Sequence, residues 1–312
     1  MHQANKKTKK DAKQPKACFA WHHIRGTVPK DWEITAYSIE DRAGRLEFNS
    51  RRGREAVVIW DPCNYEPDRA ATMATFLAND IIGEGNAPNL QPADILTNEI
   101  GPFLVGWLDE TLPSQAMAYK PKSGHLIRWV FEGHASKVNR ENVIRPILES
   151  CDFNEDEAAC EYNVSGIHCF MPWEYKVEDS VLLPADVTIS FVNETAKRSA
   201  VFHRWGLAEI ILGTHDLADF YAPILSTRGI AADTCTPCYV DNWDARRLTF
   251  KAPEKMRTAR TKHHHAHNGI AIIWYDKAEN RIYAFEQIGP DETAVLDFNA
   301  VIPGRTLKER VQ

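Results

Sequence analysis

Cys235 and Cys238, in the segment TCTPC, stand three residues apart, and His263, His264, His265 and His267 follow downstream. Two thiolates at that spacing can reach one tetrahedral zinc ion, and imidazole nitrogens can complete the shell. Cys235, Cys238, His263, His265 and His267 are therefore the candidate metal ligands. The gap from Cys238 to His263 exceeds the usual finger loop, and the chain has no second CxxC. The competing reading is of buried thiols and solvated histidines. Between the two groups lie Arg246, Arg247, Lys251, Lys255, Arg257, Arg260 and Lys262, interrupted by Glu254. Cationic density of this kind suits phosphate recognition. Only Trp243 and Phe250 are interleaved, so stacking of bases along a series of rings is poorly served. The plainer alternative is an exposed loop with solvated charge.

Other chemistry finds little support. CTPC resembles the Cys-x-Pro-Cys of thioredoxin-like proteins, but those need a helix start beside the first thiol, and YVDNWD follows here. G-x-S-x-G, H-E-x-x-H, Walker and G-x-G-x-x-G motifs are absent. Asp41, Asp61, Glu178 and Asp179 form no defensible acid–base pair. His22 and His23 fall on a first strand, pointing to opposite faces; His203, His134 and His168 read as structural. Seven scattered cysteines, an odd number, argue against a secreted disulfide framework and for a reducing cytoplasm. No apolar run approaches membrane-spanning length.

The elements that must position these residues come from periodicity. Strands are expected over Cys18–Ile24, Trp32–Ile39, Arg45–Asn49, Ala56–Trp60 and Leu126–Phe131, then near Val164–Cys169, Glu174–Val177, Val187–Val192 and up to Trp205. A helix is expected from Pro67 towards Gly83, further helix within Ile95–Leu112, and another from Asn139 through Leu148. Leu207, Ile210, Ile211, Leu217, Phe220, Tyr221, Ile224 and Leu225 make one stripe, which predicts a helix from Gly206 to Leu225. IIWYDKAENRIYAFEQI reads as a hairpin.

The stretch from Pro29 to Trp60 returns, degraded, as Pro172 to Trp205. Pro29 and Phe48 recur 143 residues on, at Pro172 and Phe191; Trp60, Gly124 and Trp129 recur 145 on, at Trp205, Gly269 and Trp274. Ordered spacing of this kind predicts an internal duplication. The expected architecture is α+β: two tandem diverged repeats, each a mostly antiparallel sheet with a long helix on one face. Residues 1–16 are a basic disordered tail, 17–150 the first repeat, 151–159 an acidic join, and 160–312 the second repeat, with the basic His/Cys insert at 229–268. On Pro29, Trp32 and Trp60, each half is similar in element order to the PsbP and Mog1 type of small α/β sandwich, which implies a fold and no function.

The functional expectation is a non-catalytic, pseudo-twofold binding protein that contacts a protein or nucleic acid through Arg246, Arg247, Lys251, Arg257, Arg260 and Lys262. The alternative is a zinc-dependent enzyme, or a zinc-ordered nucleic-acid-binding module, built on the cysteines and histidines.

Overall fold

The computed structural model describes residues 16–309 apart from 41, 80–90, 111, 134–135, 154–158, 253–256, 259–260, 263–266 and 291–295. Residues 1–15 of the expected tail, most of the acidic join, Lys255, Arg260 and His263–His265 lie outside the described residues. The chain divides into two units: residues 24–153 with those up to Phe19, and residues 154–312 with Ala20–His23.

In the first unit the strands are β1 (Lys16–Trp21, whose last two residues belong to the second unit), β2 (Ile24–Pro29), β3 (Glu33–Glu40), β4 (Ala43–Ser50), β5 (Gly53–Pro62), β6 (Leu96–Ile100), β7 (Phe103–Trp107), β8 (Ser114–Lys120), β9 (His125–Phe131) and β10 (Asp152–Phe153). Helix α1 is Arg69–Leu77, and α2 (Lys137–Asn139) runs through a π-helical turn into α3 (Arg145–Ser150). The large sheet is antiparallel throughout, in the order β3-β4-β5-β9-β8-β7-β6. Strand β9, HLIRWVF, buries every second residue, as a half-covered strand should. β5 sits between β4 and β9 and is buried continuously from Glu55 to Val58. On one face Trp129 stacks on Phe48 at 5.7 Å and on Phe131 at 5.5 Å, with Phe19 edge-on at 6.1 Å. On the same face Gly44 opposes Trp60, whose ring fills the place a Cβ would take, 2.1 Å from it. Met73, Ala74 and Leu77 of α1 cover the other face with Met117 and Ile95.

The second unit contains β11 (Ala159–Val164), β12 (Ile167–Pro172), β13 (Lys176–Leu183), β14 (Asp186–Asn193), β15 (Arg198–Gly206), α4 (Ala208–Leu212), α5 (Leu217–Thr227), β16 (Ala231–Val240), β17 (Trp243–Ala252), the ribbon β18 (Arg257–Thr258) and β19 (Thr261–Lys262), β20 (His267–Asp276), β21 (Arg281–Gly289), α6 (Phe298–Val301) and β22 (Leu307–Glu309). Its large sheet runs β13-β14-β15-β21-β20-β17-β16-β22, again antiparallel.

The α+β expectation is overturned. Both units are built mainly of strands, and α1 and α5, at 9 and 11 residues, are short. The likeness to the PsbP and Mog1 sandwich falls with that class. The stripe from Gly206 to Leu225 is not one helix: Gly213 at φ +53 breaks it, and the Asp216 carboxylate caps α5 by accepting from the Ala218 amide. Ile95–Leu112 is not helical either. It forms the hairpin β6–β7, turned at Gly101, whose φ of +56 suits glycine. His22 and His23 lie at the turn after β1, with His22 at φ +58, and not along a strand; their rings pack at 3.8 Å.

What recurs is the order of strands. In each unit three strands meander inward from one edge. A helical excursion carries the chain to the far side, and further strands meander back until the last pairs with the third: β9 on β5, and β21 on β15. Phe48 and Phe191 hold the same place, opposite Ala56 and Ala200. The tryptophans do not. Trp129 is on β9, whereas Trp274 is on β20, which holds the position of β8. Trp60 shares a face with Ala56 and Val58, while Trp205 packs against the α5 cluster. Trp60, Trp129 and Trp274 are buried; Trp205 is half-buried.

Candidate anion-binding site

Strand alternation sorts the cationic insert into two faces. Arg246 faces α5, where its guanidinium meets the Asp216 carboxylate at 2.5 Å. Arg247, Thr249 and Lys251 are on the opposite face. There they line a cleft of about 300 Å³ with Tyr175, Arg198, Ser199, Asp233, Asn268 and Gln287. The sequence reading put all the cations on one loop; the structure keeps Arg247 and Lys251 together and removes Arg246 to the other side of the sheet.

Register sets the floor of the cleft. Lys251 opposes Asn268, which opposes Gly289, and the Arg198 side chain lies across Gly289, with its Cγ 3.2 Å from where a Cβ would stand. One row along, Thr249 opposes Ile270 and Ile270 opposes Gln287. The Gln287 amide is engaged at both ends, donating to the Leu296 carbonyl at 2.9 Å and accepting from its N–H at 2.6 Å. The register of β16 slips between Ala232 and Thr234, and the extra residue is Asp233, so a bulge aims this carboxylate at the cleft. Burial pushes the Tyr175 hydroxyl up, with the Arg198 charge pulling the other way.

Within the connection between β17 and β20, the described residues Arg257 and Thr258 pair with Lys262 and Thr261 as a separate two-stranded ribbon.

The expected zinc pair is not assembled. TCTPC is part of strand β16, not a knuckle, and Cys235 opposes Leu248 while Cys238 opposes Ala245. Residues three apart on a strand point to opposite faces and sit about 10 Å apart along it, too far to share one tetrahedral ion. Cys238 is buried. Partial burial pushes the Cys235 thiol up against the pull of Arg246, away from the thiolate a metal or a redox step needs. Among the described residues no three His, Cys, Asp or Glu side chains come together as a metal site. His267 begins β20; its partners in the proposed ligand set, His263 and His265, are outside the described residues.

The sequence reading missed a polar cluster between the sheet and α5. Glu286, fully buried, accepts hydrogen bonds from the Tyr221 hydroxyl and from Arg228 Nη1 at 2.8 Å. His203 Nε2 is 3.3 Å from the same carboxylate, its Nδ1 is 3.0 Å from Thr188 Oγ1, and its ring stacks on Trp205. Burial alone would raise the Glu286 pKa; the His203 hydrogen bond and the Arg228 charge overcome it and hold the carboxyl at about 2. A single acidic residue inside the apolar run IYAFEQI was the available signal, since such a group is buried only with partners. Elsewhere, His168 Nε2 pairs with Glu161 at 2.9 Å, and buried His125 bonds the Arg42 carbonyl at 3.0 Å.

No helix among the described residues is long and apolar enough to cross a membrane. No family model matches the chain, and no curated protein does. Among solved structures it is similar to intact Ap-TbpB, N and C lobes, at 6% identity over 86% of this chain and 67% of that one, with a TM-score of 0.14, a likeness that carries no argument about fold or function.

Proposed function

We propose that the protein is a non-catalytic binding module for nucleic-acid phosphates, with the β17 face and its ribbon as the contact surface. One observation carries this reading: Arg247 and Lys251, four residues apart on one face of β17, line the same cleft, and the connection that follows β17 carries two more cations, Arg257 and Lys262, as paired residues. Four residues of strand span about 13 Å, so the two charges can engage separate groups of one anionic ligand. Seven free thiols accord with a reducing compartment.

The test is the salt dependence of oligonucleotide affinity. Each phosphate contact contributes close to one unit of slope in log affinity against log salt, so the double variant Arg247→Ala/Lys251→Ala should reduce the slope by about 2. Arg246→Ala, on the other face, should leave the slope unchanged. Equal slopes for wild type and the double variant, or no binding at low salt, would leave a protein partner as the alternative for this surface.

A further inference from the structure

The charge pattern along the cleft is not that of a track for a continuous polyanion. The row Lys251–Asn268–Gly289–Arg198 crosses four strands in the order β17, β20, β21, β15. At about 4.8 Å between neighbours it is about 14 Å long. Cations stand at its two ends, with an amide and a glycine between. On the β16 side, next to the Thr249 and Lys251 strand, the bulged Asp233 carboxylate closes the cleft. A phosphodiester chain running through would carry its next anion onto that carboxylate, where like charges repel. A chain that ends in the cleft avoids the clash and brings its most highly charged group to the cations.

We infer that the cleft is a seat for a terminal phosphomonoester, the end of a nucleic-acid strand or a free nucleotide. This rests on the phosphate-binding reading above and narrows it to one kind of group. A phosphomonoester carries close to two negative charges at neutral pH, against one for an internal diester, and three acceptor oxygens. Lys251 and Arg247 supply charged donors, and the Asn268 amide supplies a neutral one. The missing Cβ at Gly289 lets the stem of Arg198, the cation at the far end of the row, lie across the strand. A volume of about 300 Å³ is at the lower end of small-ligand pockets and suits one nucleotide unit, not a duplex. Asp233 has a second use: it can accept from an N–H donor on the ligand, which a bare inorganic anion lacks.

The experiment compares one oligonucleotide with a 5′-phosphate, a 3′-phosphate or hydroxyls at both ends, with a nucleoside monophosphate as competitor. One of the phosphorylated forms is expected to bind about tenfold or more tighter than the hydroxyl form, the effect of one added charge-assisted contact. Lys251→Ala should abolish that ratio while keeping its far-ultraviolet dichroism and melting profile. Asp233→Asn should shrink the ratio by admitting internal phosphates. Competition by the monophosphate at matching affinity would support a free nucleotide as the source, and its failure to compete would support a strand end. Equal binding of all three oligonucleotides would overturn the inference while leaving phosphate binding intact. Absence of binding by every probe would overturn both.

Discussion

Replacing Glu286 with Gln is expected to destabilise the protein by about 3–5 kcal/mol, the cost of removing one member of a buried ionic cluster. The reason is what stays behind. Arg228 would lose the negative charge it holds at 2.8 Å, His203 would lose the charge 3.3 Å from its Nε2, and the Tyr221 hydroxyl would keep only a neutral amide oxygen as acceptor, around a residue that is itself fully buried. α5 would then be held to the sheet by its apolar residues and by the Asp216–Arg246 pair at its N-cap. Urea unfolding followed by hydrogen exchange should show the loss in β15, β21 and α5. A cost below about 1 kcal/mol would mean that the cluster is wetter than its burial indicates.

The same carboxylate sets an acid limit. Its folded pKa of about 2 lies below the unfolded value of 4.5, so the folded state binds its proton less readily. The stabilisation is therefore present above pH 4.5 and is lost as pH falls from there towards 2. A shift of this size corresponds to about 3 kcal/mol. In the Glu286→Gln variant that portion of the acid dependence should disappear, which separates the titration of this group from general acid unfolding.

The second large effect is expected in the other unit. Trp129→Ala should cost about 3–5 kcal/mol, since it empties the centre of the aromatic stack formed with Phe48, Phe131 and Phe19. Trp205→Ala should cost clearly less, because Trp205 is half-buried and packs at the margin of the α5 cluster as a partly buried residue. Guanidinium unfolding of the two variants gives the ranking directly. A larger loss at Trp205 would contradict the burial that separates these residues.

That contrast also shows where the sequence was readable. Alternation located β4, β9 and β14, because each has one covered face and the pattern is local; in β3 the bulge between Ile34 and Ala36 reverses the phase, so Tyr37 and Ile39, not Ala36 and Ser38, are the half-buried residues. The hairpin β20–β21 was legible for the same reason, with the polar turn DKAENR between two apolar runs. Equating Trp129 with Trp274 failed because residue spacing carries no information on strand order. The second unit has a longer connection between β17 and β20, which moves its tryptophan one strand back. β6 and β7 read as helix in sequence since Leu, Ile and Trp in a short run fit either period, and only pairing across Gly101 decides. The spacing of TCTPC suits a zinc knuckle within the insert, whereas cross-strand pairing with β17 holds it extended.

At the site, residue type identified the cations but not their faces. Arg246 and Arg247 are adjacent in sequence, and the pleat alone sends one to Asp216 and the other into the cleft. Arg198, Asn268 and Asp233 come from distant strands and enter through register, which no window of sequence contains. The buried cluster of Glu286, His203, Tyr221 and Arg228 is assembled in the same way, from two strands and a helix.

The phosphate-binding account is tested most directly by lysine footprinting. Lys251 is exposed in the free protein, as are Lys30, Lys176 and Lys277. With a saturating oligonucleotide, acetylation of Lys251 should slow several-fold, while Lys30, Lys176 and Lys277 should react as in the free protein, since only Lys251 lines the cleft. Acetylation of Lys251 at an unchanged rate, with or without slowing at the other three, would contradict the account.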